Sequence, residues 1–172
     1  MKSLYRVLFI LTLALLCTSI VWAGGTKGQV GFGFKVTDQS SVIHARFWAS
    51  DKLTIEPTFG IAWVDPGSSY STTKRFAPGI GLLYHFRPGL ELRPYIGMRF
   101  EAAILNASGE SFADIGIAPL FGCQYFFSEH FSVSGEYLIT YVKTDKEFSA
   151  TMPYSDATYI NTTQAVLVNF YF

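Results

Sequence analysis

His130 and Ser132 are the residues of this 172-residue chain whose types and spacing could support covalent chemistry. Only Phe131 separates them. A serine hydroxyl becomes a nucleophile when a neighbouring base accepts its proton, and histidine is a common base. The reaction class that such a pair would serve is acyl hydrolysis. The alternative interpretation is an exposed histidine in a turn with no catalytic role.

A second group of chemically active residues consists of charged side chains that recur at alternate positions. Arg46 and Glu56 should lie nearly opposite each other across a tight turn at Ser50–Lys52. His85 and Glu91 should do the same across the next tight turn. Charges in a narrow interior persist only when they are paired and hydrogen bonded. The predicted interior network comprises Arg46, Glu56, His85, Glu91, Arg93, Arg99, Glu101, Asp114 and Glu136. It would form either a salt-bridged plug or a gated, low-conductance pore in which the pairs break and re-form.

The other polar residues do not indicate metal, cofactor or nucleic-acid chemistry. His44, His85 and His130 are widely dispersed, unlike the ligands of a metal motif. Gly79 and Gly81 belong to a predicted strand and not to a loop that opens a helix. The chain has 13 Lys and Arg against 13 Asp and Glu. It therefore has no net positive charge that would favour the binding of nucleic acid. We expect no cofactor, no metal ion and no nucleic-acid partner.

The elements that must position these side chains are predicted to be β-strands, because apolar and polar residues alternate along the chain. Each strand has one apolar face and one polar face that is rich in glycine. The eight predicted strands are Gly28–Val36, Ser41–Ala49, Leu53–Val64, Arg75–Phe86, Leu90–Ile104, Phe112–Phe127, Phe131–Lys143 and Tyr159–Phe172.

The connections between these strands differ in length at the two ends. Tight turns are predicted at 50–52, 87–89 and 128–130, and longer polar loops at 65–74, 105–111 and 144–158. Short turns on one rim and long loops on the other are typical of transmembrane barrels, with the short turns in the periplasm. The loops 65–74 and 144–158 carry aromatic residues, which makes them candidate surfaces for an extracellular partner.

The volume of the apolar face decides which face points inward. This face carries bulky side chains such as Phe34, Trp63 and Phe100, and no charged residue in any strand core. Side chains only just fill an eight-stranded barrel, so the apolar face does not fit inside, whereas the glycine-rich polar face does. A lipocalin-like soluble barrel would have the reverse arrangement. The sequence therefore predicts an all-β fold, an eight-stranded antiparallel up-and-down transmembrane β-barrel with its apolar face toward lipid.

Four prolines conflict with this arrangement. Pro57, Pro78, Pro94 and Pro119 lie within predicted strands, on the outward face. Proline has no N–H to donate to a neighbouring strand, and a closed barrel has no free edge. Bulges, or strands that begin later than predicted, are expected to accommodate them.

Residues 1–23 have the pattern of a cleavable signal peptide. Lys2 and Arg6 precede an apolar run at 7–21. This run is shorter than the ~20 residues that a membrane-spanning helix needs. We therefore expect cleavage after Ala23 and export of a single barrel domain at 24–172.

The last fourteen residues alternate strictly and carry Val168, Phe170 and Phe172 on one face. This pattern resembles the closing strand of bacterial outer-membrane barrels, in which the terminal aromatic residue belongs to the signal read by the barrel-assembly machinery. With the segment 124–137, it makes the chain similar to the small eight-stranded outer-membrane proteins of the OmpX, OmpW and OmpA type. The resemblance implies a place in the Gram-negative outer membrane, among outer-membrane lipids and lipopolysaccharide.

The pair His130 and Ser132 also resembles the His-x-Ser pair of lipid A deacylases of the outer membrane. Val133 departs from that family, which has asparagine at this position, and the family's more distant glutamate has no clean counterpart. His130 falls in a predicted periplasmic turn, where lipid A of the outer leaflet would not reach it. We therefore expect no enzymatic activity.

Three hypotheses for function follow from the sequence. The leading one is an outer-membrane barrel with a structural or surface role, a salt-bridged interior and extracellular loops. The second is a narrow pore for ions or small hydrophobic molecules, and the third is a lipid A-modifying acyl hydrolase.

Overall fold

The computed structural model describes residues 25–37, 41–64, 73–107, 110–144 and 158–172. These residues form one closed antiparallel barrel, in which consecutive strands pair and β1 also pairs with β8. The strands are β1 Val30–Thr37, β2 Ser41–Trp48, β3 Leu53–Val64, β4 Thr73–His85, β5 Leu92–Ala107, β6 Glu110–Ser128, β7 Phe131–Thr144 and β8 Thr158–Tyr171. Every boundary lies within three residues of the predicted one, and the predicted eight-stranded barrel is confirmed.

The barrel closes through the pairing of its first and last strands. Gly31 lies opposite Tyr171, and Thr37 lies opposite Ala165. The Phe172 amide adds a hydrogen bond of 2.9 Å to the Val30 carbonyl. Closure pairs β1 and β8 with each other along this stretch, so neither is left there as a free edge.

Side chains alternate along the strands between an apolar exterior and an interior that holds the charged groups together with a few buried apolar residues, such as Leu83 and Leu167. Phe34 is 55% exposed and Ile61 is 81% exposed on the outward face. Arg46 and Arg99, on the inward face, are 0% exposed. The polar face is therefore inside, as the volume argument predicts, and the arrangement is opposite to that of a lipocalin-like barrel.

The in-strand prolines are accommodated by local interruptions of the pairing between strands. The pairing of β2 with β3 is interrupted at Pro57, that of β4 with β5 at Pro78, and that of β6 with β7 at Pro119. Each of these prolines remains paired with the strand on its other side. Pro94 lies near the start of β5, where its carbonyl accepts a hydrogen bond of 3.0 Å from the Phe86 amide. The expected bulges or late strand starts are not needed at these positions, because the gap falls on the side where the N–H is missing.

The two rims differ in the part of the chain that the structure describes. Connections at 49–52, 86–91 and 129–130 form the short-turn rim. At the other rim, the predicted loop 105–111 is largely strand, because β5 continues to Ala107, which pairs with Glu110 of β6. The signal peptide 1–23 and most of the predicted partner loops, at 65–72 and 145–157, lie outside the described residues. Among the described residues, no helix has the length and hydropathy to span a membrane.

Candidate functional site

A network of buried ionic hydrogen bonds crosses the middle of the lumen. Arg46 Nε donates to Glu56 Oε2 at 2.7 Å, and Arg99 also bonds Glu56, from the opposite side. Arg99 Nη1 donates to Glu136 Oε2 at 2.7 Å. Tyr95 donates its hydroxyl proton to Glu136 Oε1 at 2.9 Å. The network thereby links β2, β3, β5 and β7. Because side chains alternate between the two faces of a strand, these residues all point into the same interior.

The charges of this central network balance. Two arginines, Arg46 and Arg99, meet two glutamates, Glu56 and Glu136, and all four side chains are 0% exposed. A buried charge is tolerated only when opposite charges and hydrogen bonds compensate for lost hydration. The mutual pairing of the four groups supplies the opposite charges, and of the arginine nitrogens in this network Arg99 Nε is left without a hydrogen-bond partner in the described structure. The network fills the lumen as a polar plug.

Arg93 and aromatic rings fill the lumen at the short-turn end. Arg93 Nε donates to the Leu90 carbonyl at 2.8 Å, and its Nη1 donates to the Gly25 carbonyl at 2.9 Å. The guanidinium lies 5.4 Å from the Trp48 ring centroid and 4.6 Å from that of Phe126. These distances are those of cation–π contacts. Carbonyl oxygens and ring faces therefore hold the Arg93 guanidinium at this end of the barrel, whereas Trp48 Nε1 and His85 Nδ1 are buried there without a hydrogen-bond partner in the described structure.

A layer of neutral hydrogen bonds connects these two regions. Gln124 Oε1 accepts a hydrogen bond from Arg46 Nη1 at 3.0 Å. Gln124 Nε2 donates to Ser132 Oγ and to the Tyr171 hydroxyl, each at 2.6 Å. Sequence reasoning did not assign such partners to the network. Their only signal was the period-two register, which places Tyr95, Gln124, Ser132, Asn169 and Tyr171 on the inward face.

The lumen widens toward the long-loop end. Lys35 Nζ and Glu101 Oε1 form an ion pair at 3.2 Å, which joins the opposite walls of the barrel, β1 and β5. A cavity of about 160 Å³ reaches from this pair toward the long-loop rim and is lined by residues from all eight strands. Arg75 and Asp114 face this cavity.

The residues of the predicted network lie at three levels of the lumen, except for Glu91, which lies outside it. Glu91 is exposed in the 86–91 connection and accepts a hydrogen bond of 3.1 Å from the Tyr125 hydroxyl. The predicted pair of His85 and Glu91 is wrong, because β5 begins at Leu92 and His85 pairs with Tyr95 instead. The central level holds Arg46, Glu56, Arg99 and Glu136, the short-turn end holds His85 and Arg93, and the cavity level holds Glu101 and Asp114.

His130 lies in a turn at the rim of the barrel, whereas Ser132 lies inside the lumen. His130 is exposed in the turn between β6 and β7, where its Nδ1 lies 3.1 Å from the Tyr171 carbonyl and its Nε2 lies 3.2 Å from Glu129 Oε1. Ser132 is buried in the lumen and accepts its hydrogen bond from Gln124. In the described structure the two side chains do not hydrogen bond to each other, so they do not form a nucleophile and its base.

Comparison with known proteins gives a likeness in structure only. No family model matches the sequence, and no curated protein sequence matches it. The chain is similar to Neisserial surface protein A, with a TM-score of 0.55 and 15% identity over 84% of this chain and 94% of that one. It is also similar to OprG from Pseudomonas aeruginosa, with a TM-score of 0.49 and 14% identity over 88% of this chain and 99% of that one.

The chain has the fold of the small outer-membrane β-barrels. Within this outer-membrane barrel fold, the predicted assembly residues Val168, Phe170 and Phe172 lie on the outward face of the closing strand and at its end. The Phe172 ring centroid lies 6.4 Å from that of Phe32, and the Phe170 centroid lies 5.4 Å from that of Phe131. These rings form part of an aromatic cluster at the short-turn rim.

Proposed function

We propose that this protein resides in the Gram-negative outer membrane as a structural or surface barrel with a closed lumen. A closed barrel satisfies its backbone hydrogen bonds internally, which a lipid environment requires. The outward face supports this location, since Phe34, Phe59, Ile96 and Phe121 are each at least half exposed. Outer-membrane lipids and lipopolysaccharide would cover these side chains, and the barrel-assembly machinery would insert the chain.

The observation that carries the closed lumen is the mutual pairing of the central charges. A conducting path would have to separate Arg99 from Glu56 or Glu136, whose side chains are 0% exposed. Removing one partner of such a buried pair costs ~3–5 kcal/mol. The barrel is therefore proposed to be closed in its resting state. The loops that the sequence predicts at 65–74 and 144–158 are proposed as the surfaces for extracellular contacts.

A narrow pore is the second candidate, and the cavity at the long-loop end favours it. The cavity already opens the lumen down to the Lys35–Glu101 pair. Among the described residues, the central network, the Gln124 layer, the Arg93 layer and a cluster of buried leucines separate it from the short-turn rim. Separation of Arg99 from Glu56 or Glu136, both of which it bonds in this structure, would be the step that extends the path.

We also propose that the protein is not an enzyme. Acyl hydrolysis would require His130 and Ser132 to act on lipid A of the outer leaflet. Ser132 instead points into the lumen, and His130 lies in a short turn at the opposite rim from the long loops. This arrangement supports a non-catalytic role for both.

Electrophoresis and conductance measurements test the proposal together. The chain without its predicted signal peptide is refolded in detergent, run on a gel with and without boiling, and inserted into a planar bilayer. A heat-dependent change in migration without conductance steps is expected. Stable conductance steps would favour the pore, and a protein that shows no heat shift and needs no detergent would contradict residence in a membrane.

A further inference from the structure

The cavity at the long-loop end presents two opposite charges that are not paired with each other. Arg75 of β4 and Asp114 of β6 both line it. None of the ion pairs between described residues joins them. Lys35 and Glu101, deeper in the same cavity, are already bonded to each other at 3.2 Å. The upper pair is thus the one that remains available to a solute.

Uncharged hydrogen-bonding groups complete the wall around these charges. Tyr159 lines the same cavity as Arg75 and Asp114, and Asn161 and Thr163 continue along the same inward face of β8. Hydroxyl and amide groups donate and accept hydrogen bonds without adding net charge. The wall therefore suits a polar solute, and its two facing charges determine which solute that is.

We propose that this cavity binds a small zwitterion, with its carboxylate toward Arg75 and its ammonium group toward Asp114. A plain anion would be repelled by Asp114 and by the exposed part of Glu101, and a plain cation would be repelled by Arg75. A solute with both charges gains both attractions. The volume of about 160 Å³ is close to the ~150 Å³ that accommodates a ligand of benzene size, so a solute of a few heavy atoms fits.

The direction of entry rests on the proposed closed lumen. The central network of Arg46, Glu56, Arg99 and Glu136 lies below the cavity and blocks passage toward the short-turn rim. The solute therefore enters and leaves at the long-loop rim, and the site binds without transporting. Binding itself does not require a closed lumen, so it is tested separately from conductance.

The experiment compares three solutes of similar size with the folded barrel in detergent micelles. β-Alanine carries both charges, propionate carries only the carboxylate and propylammonium carries only the ammonium group. Saturation-transfer NMR is expected to detect β-alanine more strongly than either of the others. Arg75→Gln and Asp114→Asn should each weaken β-alanine binding about tenfold, since each removes a charge-assisted hydrogen bond.

Arg87→Gln is the matched control, because Arg87 is exposed at the opposite rim and its loss changes the net charge by the same amount. β-Alanine binding should be unchanged in this variant. Equal binding of propionate and β-alanine, or unchanged binding in Arg75→Gln, would overturn the inference. If Asp114→Asn loses its heat-dependent gel shift, Arg75→Gln decides alone, because Arg75 is exposed and its replacement leaves the interior intact.

The outcomes of this test and of the conductance test are distinguishable. A conducting barrel that still binds β-alanine would contradict the closed lumen and support the zwitterion site. A closed barrel that binds none of the three solutes would support the closed lumen and contradict the zwitterion site.

Discussion

Arg99 Nη1 lies 2.7 Å from Glu136 Oε2, and this contact crosses the lumen from β5 to β7. The same guanidinium bonds Glu56 of β3, and Glu56 also forms an ion pair with Arg46 of β2. One arginine side chain therefore couples three strands that are not neighbours in the barrel. Because these groups are 0% exposed, water does not screen them, and the loss of one leaves the others uncompensated.

Arg99→Gln should destabilise the barrel far more than it changes conductance. The substitution leaves Glu56 and Glu136 buried with one positive charge fewer, which should lower the free energy of unfolding by ~3–5 kcal/mol. Urea unfolding in detergent micelles, followed by tryptophan fluorescence, measures this change. Arg87→Gln, in an exposed turn, should stay within ~0.5 kcal/mol of the original protein. A large gain in conductance at unchanged stability would contradict the plug.

Replacement of Glu101 and of Glu136, which face the lumen at different levels, should lower the free energy of unfolding by different amounts. The Glu101 side chain is 39% exposed, whereas that of Glu136 is 0% exposed. Glu101→Gln should cost ~0–1 kcal/mol, because water in the cavity replaces part of the lost interaction. Glu136→Gln should cost ~3–5 kcal/mol, because Arg99 then keeps only one carboxylate partner. Equal costs in the same urea titration would mean that the central network is hydrated.

Gly33→Ala should prevent closure of the barrel. A Cβ atom at Gly33 would lie 2.1 Å from the Val168 carbonyl oxygen and 2.8 Å from His44 Nε2. The first contact is with backbone, so β1 and β8 would have to separate. The fraction of protein that shows a heat-dependent gel shift after refolding measures closure. Gly135→Ala is the control, since nothing lies within 4 Å of its added Cβ, and it should refold normally.

Ile96→Arg should cost more than Ile160→Arg if the outward face meets lipid. Ile96 and Ile160 are 50% and 70% exposed. Ile96 is the fifth residue of β5, counted from the short-turn rim, whereas Ile160 is only the third residue of β8, counted from the long-loop rim, so Ile160 lies nearer to the end of its strand. Arginine on the lipid face costs ~2–4 kcal/mol at the bilayer midplane and ~0–1 near the interface. Refolding equilibria in lipid vesicles measure both variants. Equal costs would contradict the membrane orientation.

Period-two alternation predicted much of the site, because it assigns each side chain to a face without knowledge of the closed fold. It placed Arg46 and Glu56 inside and nearly opposite across a tight turn, and the structure joins them. Glu91 shows the limit of this reasoning. Alternation holds only within a strand, and the longer turn before Leu92 places Glu91 on the surface.

The in-strand prolines show a second limit, which concerns pairing. The sequence places Pro57, Pro78 and Pro119 on the outward face, but it does not reveal which neighbouring strand lacks the hydrogen bond. Only the register of the closed barrel assigns each gap to one side of its strand.

The sequence by itself determined the number of strands, the class of fold and the face that points inward, since these follow from local alternation and from the volume that a small barrel can hold. The tertiary structure alone decided which charges meet across the lumen. Lys35 pairs with Glu101 from the opposite wall, and Arg99 pairs with Glu136 two strands away. Such contacts depend on strand register and barrel closure, which no local pattern encodes.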